Sequence, residues 1–187
     1  RTINQGECYV GIQGDNFDGN QFYKDAFKLG AKACILDHFG ATDEEMGTII
    51  FVEDSVKAIQ EVASYLINDI DAKVVAITGS AGKTSTKDMI YSVLSKKYKV
   101  LKSQGNYNNE IGLPFALLNY INEDIIVCEM GMNGFGQIDK LSNIAKPDVA
   151  VITNVGTAHI GMLGSRENIL KAKLEILNGM SSDGTLV

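Results

Sequence analysis

The sequence predicts an α/β chain of two units: a small α/β unit, then a mostly parallel sheet with helices on both faces. Three observations predict it. From residue 73 onward, apolar β-branched runs alternate with segments of helical period, the pattern of a buried parallel sheet. The residues before that point carry their own shorter strands and helices. Between the first long apolar run and the next helix lies a glycine-rich turn, Thr78-Gly79-Ser80-Ala81-Gly82-Lys83-Thr84-Ser85.

The first unit is predicted over 1–71 and the second over 72–187. In the first, 7–12 reads as a short strand and 14–20 as a loop of turn formers. A helix over 21–29 is stopped by Gly30. Residues 33–36 and 48–52 read as buried strands. Asp54 or Ser55 then caps a helix whose Val56, Ile59, Val62, Ala63, Leu66 and Ile67 share one face. In the second unit, strands are predicted over 74–78, 100–102, 125–129 and 149–153. Helices are predicted over 85–97, 110–119, 135–145 and 165–178, and residues 184–187 read as a turn entering another strand. In such a sheet, ligands bind at the carboxyl ends of the strands. The glycine turn, Glu129 and Asn154 all fall at such ends.

Composition narrows the function. The chain has 187 residues, is 45% hydrophobic and carries a net charge of −6, which argues against a general nucleic-acid binder. No apolar run approaches the roughly 18 residues of a membrane span, and no secretory leader is visible. Cys8, Cys34 and Cys128 are scattered and form no CxxC, so free thiols in a reducing cytoplasm are expected.

Strand, glycine turn, lysine plus hydroxyl, helix: that order builds a phosphate cradle, the P-loop of a Rossmann-like sheet. Gly79 and Gly82 let backbone N–H groups approach phosphates, Lys83 supplies a point charge, and the Thr84 hydroxyl can sit on Mg²⁺. The two residues between the glycines, Ser80 and Ala81, make the loop shorter than the common Walker spacing. A plain glycine turn beside an exposed lysine is the alternative.

Four other features bear on this edge, and His38, in the first unit, is weighed beside them. Glu129 ends an apolar strand, where a Mg²⁺-binding acid belongs after a phosphate loop, although an acid there can simply face water. His159 follows the next strand in Thr153-Asn154-Val155-Gly156-Thr157-Ala158-His159, with a capping or packing role as its alternative. His38 reads as part of a surface turn. Lys173, in Lys171-Ala172-Lys173-Leu174-Glu175-Ile176, reads on its own as part of a solvated helix face. The amides of Ser103-Gln104-Gly105-Asn106-Tyr107-Asn108-Asn109 could bind substrate or cap the next helix.

These residues resemble the Mur ligases, ATP-dependent enzymes that build the peptide of bacterial cell-wall precursors. The short loop 78–85 looks like the family signature TGxxGKT[ST]. Asp18-Gly19-Asn20-Gln21-Phe22, Gly105-Asn106-Tyr107-Asn108-Asn109-Glu110-Ile111-Gly112-Leu113-Pro114, Glu129-Met130-Gly131-Met132-Asn133, and the stretch 153–167 look like the member that adds D-alanyl-D-alanine. The resemblance covers nearly the whole chain. Two departures are Ala81, where the loop often has Asn, and Asn20, where His is common.

The resemblance implies roles. Gly79, Ser80, Ala81, Gly82, Lys83, Thr84 and Ser85 would hold ATP, with Thr84 and Glu129 on one Mg²⁺. His159 and Lys173 would hold a second Mg²⁺, with Lys173 as a carbamate. Lys83, His159 and Lys173 would carry the catalysis. Arg1, Asn108 and Asn109 would bind the nucleotide-peptide, UDP-N-acetylmuramoyl-tripeptide, whose uridine diphosphate end belongs to the first domain. The amine partner would be D-alanyl-D-alanine, and the enzyme a cytoplasmic monomer. Family members continue with more of the central domain and a third domain, so these 187 residues read as a truncated piece. The piece alone is expected to fold and bind Mg·ATP weakly without ligating. The rival expectations are a sister ligase with another acceptor, a nucleotide-binding module without ligation, and a motor or transport ATPase.

Overall fold

The computed structural model describes residues 3–38 and 46–187. The chain divides into two compact units, 1–58 and 59–187.

In the first unit β1 (Cys8–Val10), β4 (Ala33–Leu36) and β5 (Thr48–Phe51) form a parallel sheet in the order β1-β4-β5. Register pairs Tyr9 with Cys34 and Cys34 with Ile49. The 14–20 loop contains a small antiparallel hairpin, β2 (Gln13–Gly14) with β3 (Phe17–Asp18). The predicted 21–29 helix is a 3-10 turn, Gly19–Phe22, continuing into α1 (Tyr23–Lys28). Asp18 starts that turn by accepting the Asn20 N–H at 2.9 Å. Tyr23, Ala26, Phe27, Cys34 and Leu36 make the core; each large apolar side chain fully buried contributes about 1.5–3 kcal/mol.

His38 is more than a surface turn. Its Nε2 lies 2.9 Å from Asp18 Oδ2 and its Nδ1 3.1 Å from Asp37 Oδ1. Buried Asn20 donates to both acids. The carboxylates hold the His38 imidazolium, raising its pKa from the ordinary 6.5, while the Asn20 and His38 bonds hold Asp18 below its ordinary 3.8. The raised histidine contributes stability that is complete below about pH 6.5 and fades as pH climbs through its folded pKa. The depressed Asp18 contributes above its ordinary value, and that share is lost as pH falls through the folded one. An NMR titration is expected to place His38 above 6.5 and to bring it back toward that value in Asp18→Asn. An unshifted wild-type histidine would contradict the geometry.

α2 (Ser55–Asp69) begins with Asp54, whose Oδ1 accepts the N–H groups of Val56 and Lys57 at 2.8 and 2.9 Å. The division between units falls inside this helix, ahead of residue 71. Its later residues Ala63 and Ile67 pack in the core of the second unit.

The second unit is a five-stranded parallel sheet in the order β10-β9-β6-β8-β7: β6 (Lys73–Thr78), β7 (Val100–Lys102), β8 (Ile125–Glu129), β9 (Val149–Ile152) and β10 (Thr185–Leu186). β6 pairs with β8 on one side and β9 on the other. The chain therefore reverses its winding direction between β6 and β9, and the carboxyl ends there form the usual ligand crevice. The helices are α3 (Lys83–Leu94), α4 (Gly112–Leu117), α5 (Gln137–Ala145), α6 (Ile160–Leu163) and α7 (Arg166–Leu174). Val74, Ala76, Ile126, Cys128, Ile138, Leu141, Ala150, Ile169 and Ile176 are among the core residues. No helix among the described residues is long and apolar enough to cross a membrane.

Candidate nucleotide and metal site

The loop after β6 and the loop after β9 brace each other at the winding reversal. Ser80 N–H donates to Asn154 O at 3.1 Å, and Ala81 N–H to Asn154 Oδ1 at 3.2 Å. Thr153 Oγ1 and Asn154 Nδ2 both donate to Ala81 O, at 2.6 and 2.9 Å. Gly156 N–H donates to Ser80 Oγ at 2.9 Å. Two glycines make this possible. A Cβ on Gly79 would collide with the Thr153 hydroxyl, and Gly82 starts α3 in the left-handed region at φ 80°. Bracing takes up the N–H groups of Ser80 and Ala81. The donors presented to a ligand are those of the first turn of α3, Lys83 to Ser85, which lack intrahelical acceptors and carry the helix's positive end. Lys83 Nζ donates to Gly79 O at 3.0 Å, which holds the ammonium over the loop.

Thr84, Glu129 and Asn108 form the next layer. Thr84 Oγ1 donates to Glu129 Oε2 at 2.8 Å, and Asn108 Nδ2 donates to Glu129 Oε1 at 2.8 Å. Glu129 N–H donates to buried Ser103 Oγ at 3.2 Å. Glu129 is 3% exposed, so it does not face water. Asn108 is itself fixed by the Gly131 N–H, which donates to its carbonyl at 2.7 Å. Asn109 Oδ1 accepts from Ile111 and Gly112, at 3.2 and 2.7 Å, and so folds the start of α4. One amide of the loop thus meets the acid and the other caps a helix. Ser103 gave no signal in the sequence, because a serine at a strand end carries no pattern of its own.

Lys173 departs from its helix-face reading. It is 1% exposed, because Ile169 and Ala172 on the same stripe of α7, and Ile176 in the 3-10 turn that continues it, are fully buried. Ser165 Oγ caps α7 by accepting the Asn168 N–H at 3.2 Å. Beyond α7, the Glu175 carboxylate accepts the Gly136 N–H at 2.8 Å and anchors the chain to the start of α5. Among the described residues no hydrogen bond or ion pair reaches the Lys173 ammonium. Burial, helped by the nearby Lys83 cation, lowers its pKa from 10.5 to about 8. His159 lies on the loop after β9, exposed, at φ 65°, and its side chain makes no cap bond to α6. Arg1 lies outside the described residues.

The donor set suits a hard cation at one point. A hydroxyl and a carboxylate oxygen meet at Thr84–Glu129, and Mg²⁺ typically takes one or two protein oxygens, with phosphate and water completing the shell. No group of three or more His, Cys, Asp or Glu among the described residues forms a cage. Cys128, beside Glu129, is fully buried with its thiol pushed up to about 12, which rules it out as a nucleophile.

Residues 77–187, well over half the chain, match the Mur ligase middle domain. The chain belongs to the Mur ligase family. Across its whole length it is 44% identical to the UDP-N-acetylmuramoyl-tripeptide--D-alanyl-D-alanine ligase of Bacillus subtilis, and it spans 41% of that protein's length. The chain thus spans less than half of the curated Mur ligases it matches. Among solved Mur ligases, the MurF ligase of Thermotoga maritima, determined in complex with ADP, superposes with a TM-score of 0.89 at 37% identity, covering 98% of this chain and 43% of that one. A pseudomurein peptide ligase type C from Methanothermus fervidus shares the fold at 20% identity, with a TM-score of 0.60 over 96% of this chain and 38% of that one.

Proposed function

We propose that the full-length protein containing this chain is the ATP-dependent amide ligase that adds D-alanyl-D-alanine to UDP-N-acetylmuramoyl-tripeptide in peptidoglycan precursor synthesis. It acts as a monomer in the cytoplasm. The observation that carries the reading is the Thr84–Glu129–Asn108 contact beside the Lys83 loop. It joins a phosphate-binding helix start to a metal-binding acid and to an amide of the Gly105-to-Pro114 stretch. The 44% identity to the Bacillus subtilis enzyme, whose name states this reaction, supports the choice of substrates.

The substrate carboxylate attacks the γ-phosphorus of ATP. The bond to the bridging oxygen breaks, and ADP leaves an acyl phosphate. The amine of D-alanyl-D-alanine then attacks the acyl carbon, the C–O bond to phosphate breaks, and the amine proton departs with inorganic phosphate or water. Both steps concentrate negative charge near Lys83 and the first turn of α3, whose fixed dipoles need not reorganise as the reaction proceeds. Thr84 and Glu129 would hold one Mg²⁺, and His159 with a carbamate on Lys173 a second. When bound, these ions neutralise phosphoryl charge and align attacking and leaving oxygens. Asn108 keeps Glu129 oriented, and holding the reactants in line supplies further rate. The first unit binds the uridine diphosphate end, with Arg1 among its contacts.

The test is phosphate release by the full-length protein with ATP, Mg²⁺ and UDP-N-acetylmuramoyl-tripeptide, with and without D-alanyl-D-alanine. Release that depends on the dipeptide is expected. Release with a different amine only would move the protein to a sister ligase. No release with any pairing would leave a nucleotide-binding module.

A further inference from the structure

The sheet-facing stripe of α3 is Lys83, Lys87, Ile90 and Leu94, spaced at helical period. Lys87 is the most deeply placed of them, at 2% exposed, where the pattern calls for an apolar residue. A helical side chain leans toward the helix N-terminus and covers the preceding turn. The stem of Lys87 therefore runs back alongside Lys83 and Thr84, carrying its ammonium toward the loop end of the sheet. Asp88 shows on which side. Its Oδ1 lies 3.8 Å from Lys87 Nζ and accepts a hydrogen bond from Lys102 Nζ, the last residue of β7, at 2.8 Å. Lys87 thus faces the β7 side of the site, the side from which Ser103 and the amide loop with Asn108 arise, away from the β9 loop that braces the phosphate turn.

Among the described residues the Lys87 ammonium makes no hydrogen bond, and its one ion-pair partner is Asp88. A separation of 3.8 Å is too long for a hydrogen bond. Asp88 is half exposed and engaged by Lys102, which also lies 4.4 Å from the centre of the Tyr91 ring. No other hydrogen bond or ion pair among the described residues reaches Lys87. Placing an ammonium on a side chain only 3% exposed, with one long ion pair and no hydrogen bond, is costly, and a methionine of similar length would fill the same groove without that cost. Groups of this kind mark places where a ligand supplies the missing partner.

We propose that Lys87 is a substrate-binding residue whose ammonium takes a carboxylate oxygen of the peptide substrate next to Glu129. The proposal rests on the ligase reading above. Electrostatics favours a carboxylate there. The buried Glu129 would repel an incoming anion; Lys102 on that side is already engaged by Asp88, which leaves Lys87 as the cation to offset it. The phosphate already has its own elements in Lys83 and the start of α3. Two ammonium groups one helical turn apart thus divide the two anions that must meet, the phosphoryl group on Lys83 and the attacking carboxylate on Lys87.

The experiment measures dissociation constants on the full-length ligase, wild type, K87M and K87R. The ligands are UDP-N-acetylmuramoyl-tripeptide, its C-terminal carboxamide, and Mg·ADP. Wild type is expected to prefer the acid over the amide by about tenfold or more, the scale of one charge-assisted hydrogen bond. K87M is expected to bind acid and amide alike with Mg·ADP affinity unchanged and a Tm equal to or above wild type, and K87R to recover part of the preference. An acid preference that survives in K87M overturns the proposal. So does a K87M that loses Mg·ADP and both peptides together with its Tm, which would mark Lys87 as structural. A wild type that binds neither peptide removes the ligase reading, and this proposal with it.

Discussion

Lys83→Ala in the full-length ligase is expected to abolish turnover, with a loss of at least about a thousandfold in kcat. The Lys83 ammonium is the side-chain charge of the phosphate loop, and it already lies over that loop through its 3.0 Å bond to Gly79 O. Alanine removes the charge, and neither loop backbone contacts nor the helix dipole can replace a full positive charge beside a transferring phosphoryl group. Folding should survive, because Lys83 is only half-buried and the bracing of the loop runs through Ser80, Ala81, Thr153 and Asn154. The readout is dipeptide-dependent phosphate release beside a thermal melt. Near-normal turnover in a well-folded Lys83→Ala would sink the phosphate-loop assignment and the ligase reading with it.

Much of this site could be read from residue order, and the reasons differ from part to part. The strands of the second unit were legible because a sheet buried on both faces needs apolar, β-branched-rich runs, as 74–78 and 125–129 are; the edge strand 100–102, Val-Leu-Lys, is a weaker instance. The phosphate loop was legible because its chemistry is local: glycines, lysine and hydroxyl follow one another along the chain. The boundaries were less so. α3 starts at Lys83 rather than 85 because the left-handed Gly82 already turns the backbone into the helix. The predicted 165–178 helix ends at Leu174 and tightens to a 3-10 turn, with Glu175 turned to the start of α5. The β2–β3 hairpin has two-residue strands, and α6 is a single turn containing a glycine, so neither has enough length for a period.

Tertiary placement was the hidden part. His38 read as a surface turn because Asp18, its distant carboxylate partner, lies on another element twenty residues away. Lys173 read as an ordinary helix lysine and Lys87 drew no reading at all, although each sits on its helix's apolar stripe. Ile169, Ala172 and Ile176 flank Lys173 at offsets of one to four residues, and Ile90 and Leu94 follow Lys87 at three and seven. A charge placed on the buried stripe of an amphipathic helix is a signal visible in sequence, and it points to function more directly than the lysine alone. Both positions are therefore worth testing as pieces of the site.

Lys173→Met in the full-length ligase is expected to lower turnover by about a hundredfold or more, the scale set by removing a ligand from a catalytic metal site. An ammonium cannot coordinate Mg²⁺, so the role requires the lysine to become an acid, and its setting favours that change. With a pKa of about 8, roughly a quarter of the side chain is neutral amine at pH 7.5, against roughly a thousandth for an ordinary lysine. Once the ammonium has shed a proton, the neutral amine adds to dissolved CO₂: the N–C bond forms, a C=O π bond of CO₂ opens to a carboxylate, a second proton leaves the nitrogen, and the former cation is an anion. That anion suits its neighbour, because Lys83, which repels an ammonium at this site, attracts a carbamate. The modification thus relieves the Lys83 repulsion, which lowers the pKa beside the larger effect of burial. Purified ligase given ¹³C-bicarbonate should show one protected carbamate resonance that vanishes in Lys173→Met and persists in Lys171→Met, the exposed neighbour on the same helix. Stripping CO₂ from the buffer should slow turnover of the wild type, and added bicarbonate should restore it. Wild-type activity indifferent to CO₂, with no carbamate resonance, would leave Lys173 as a buried free amine and the second metal with one ligand fewer.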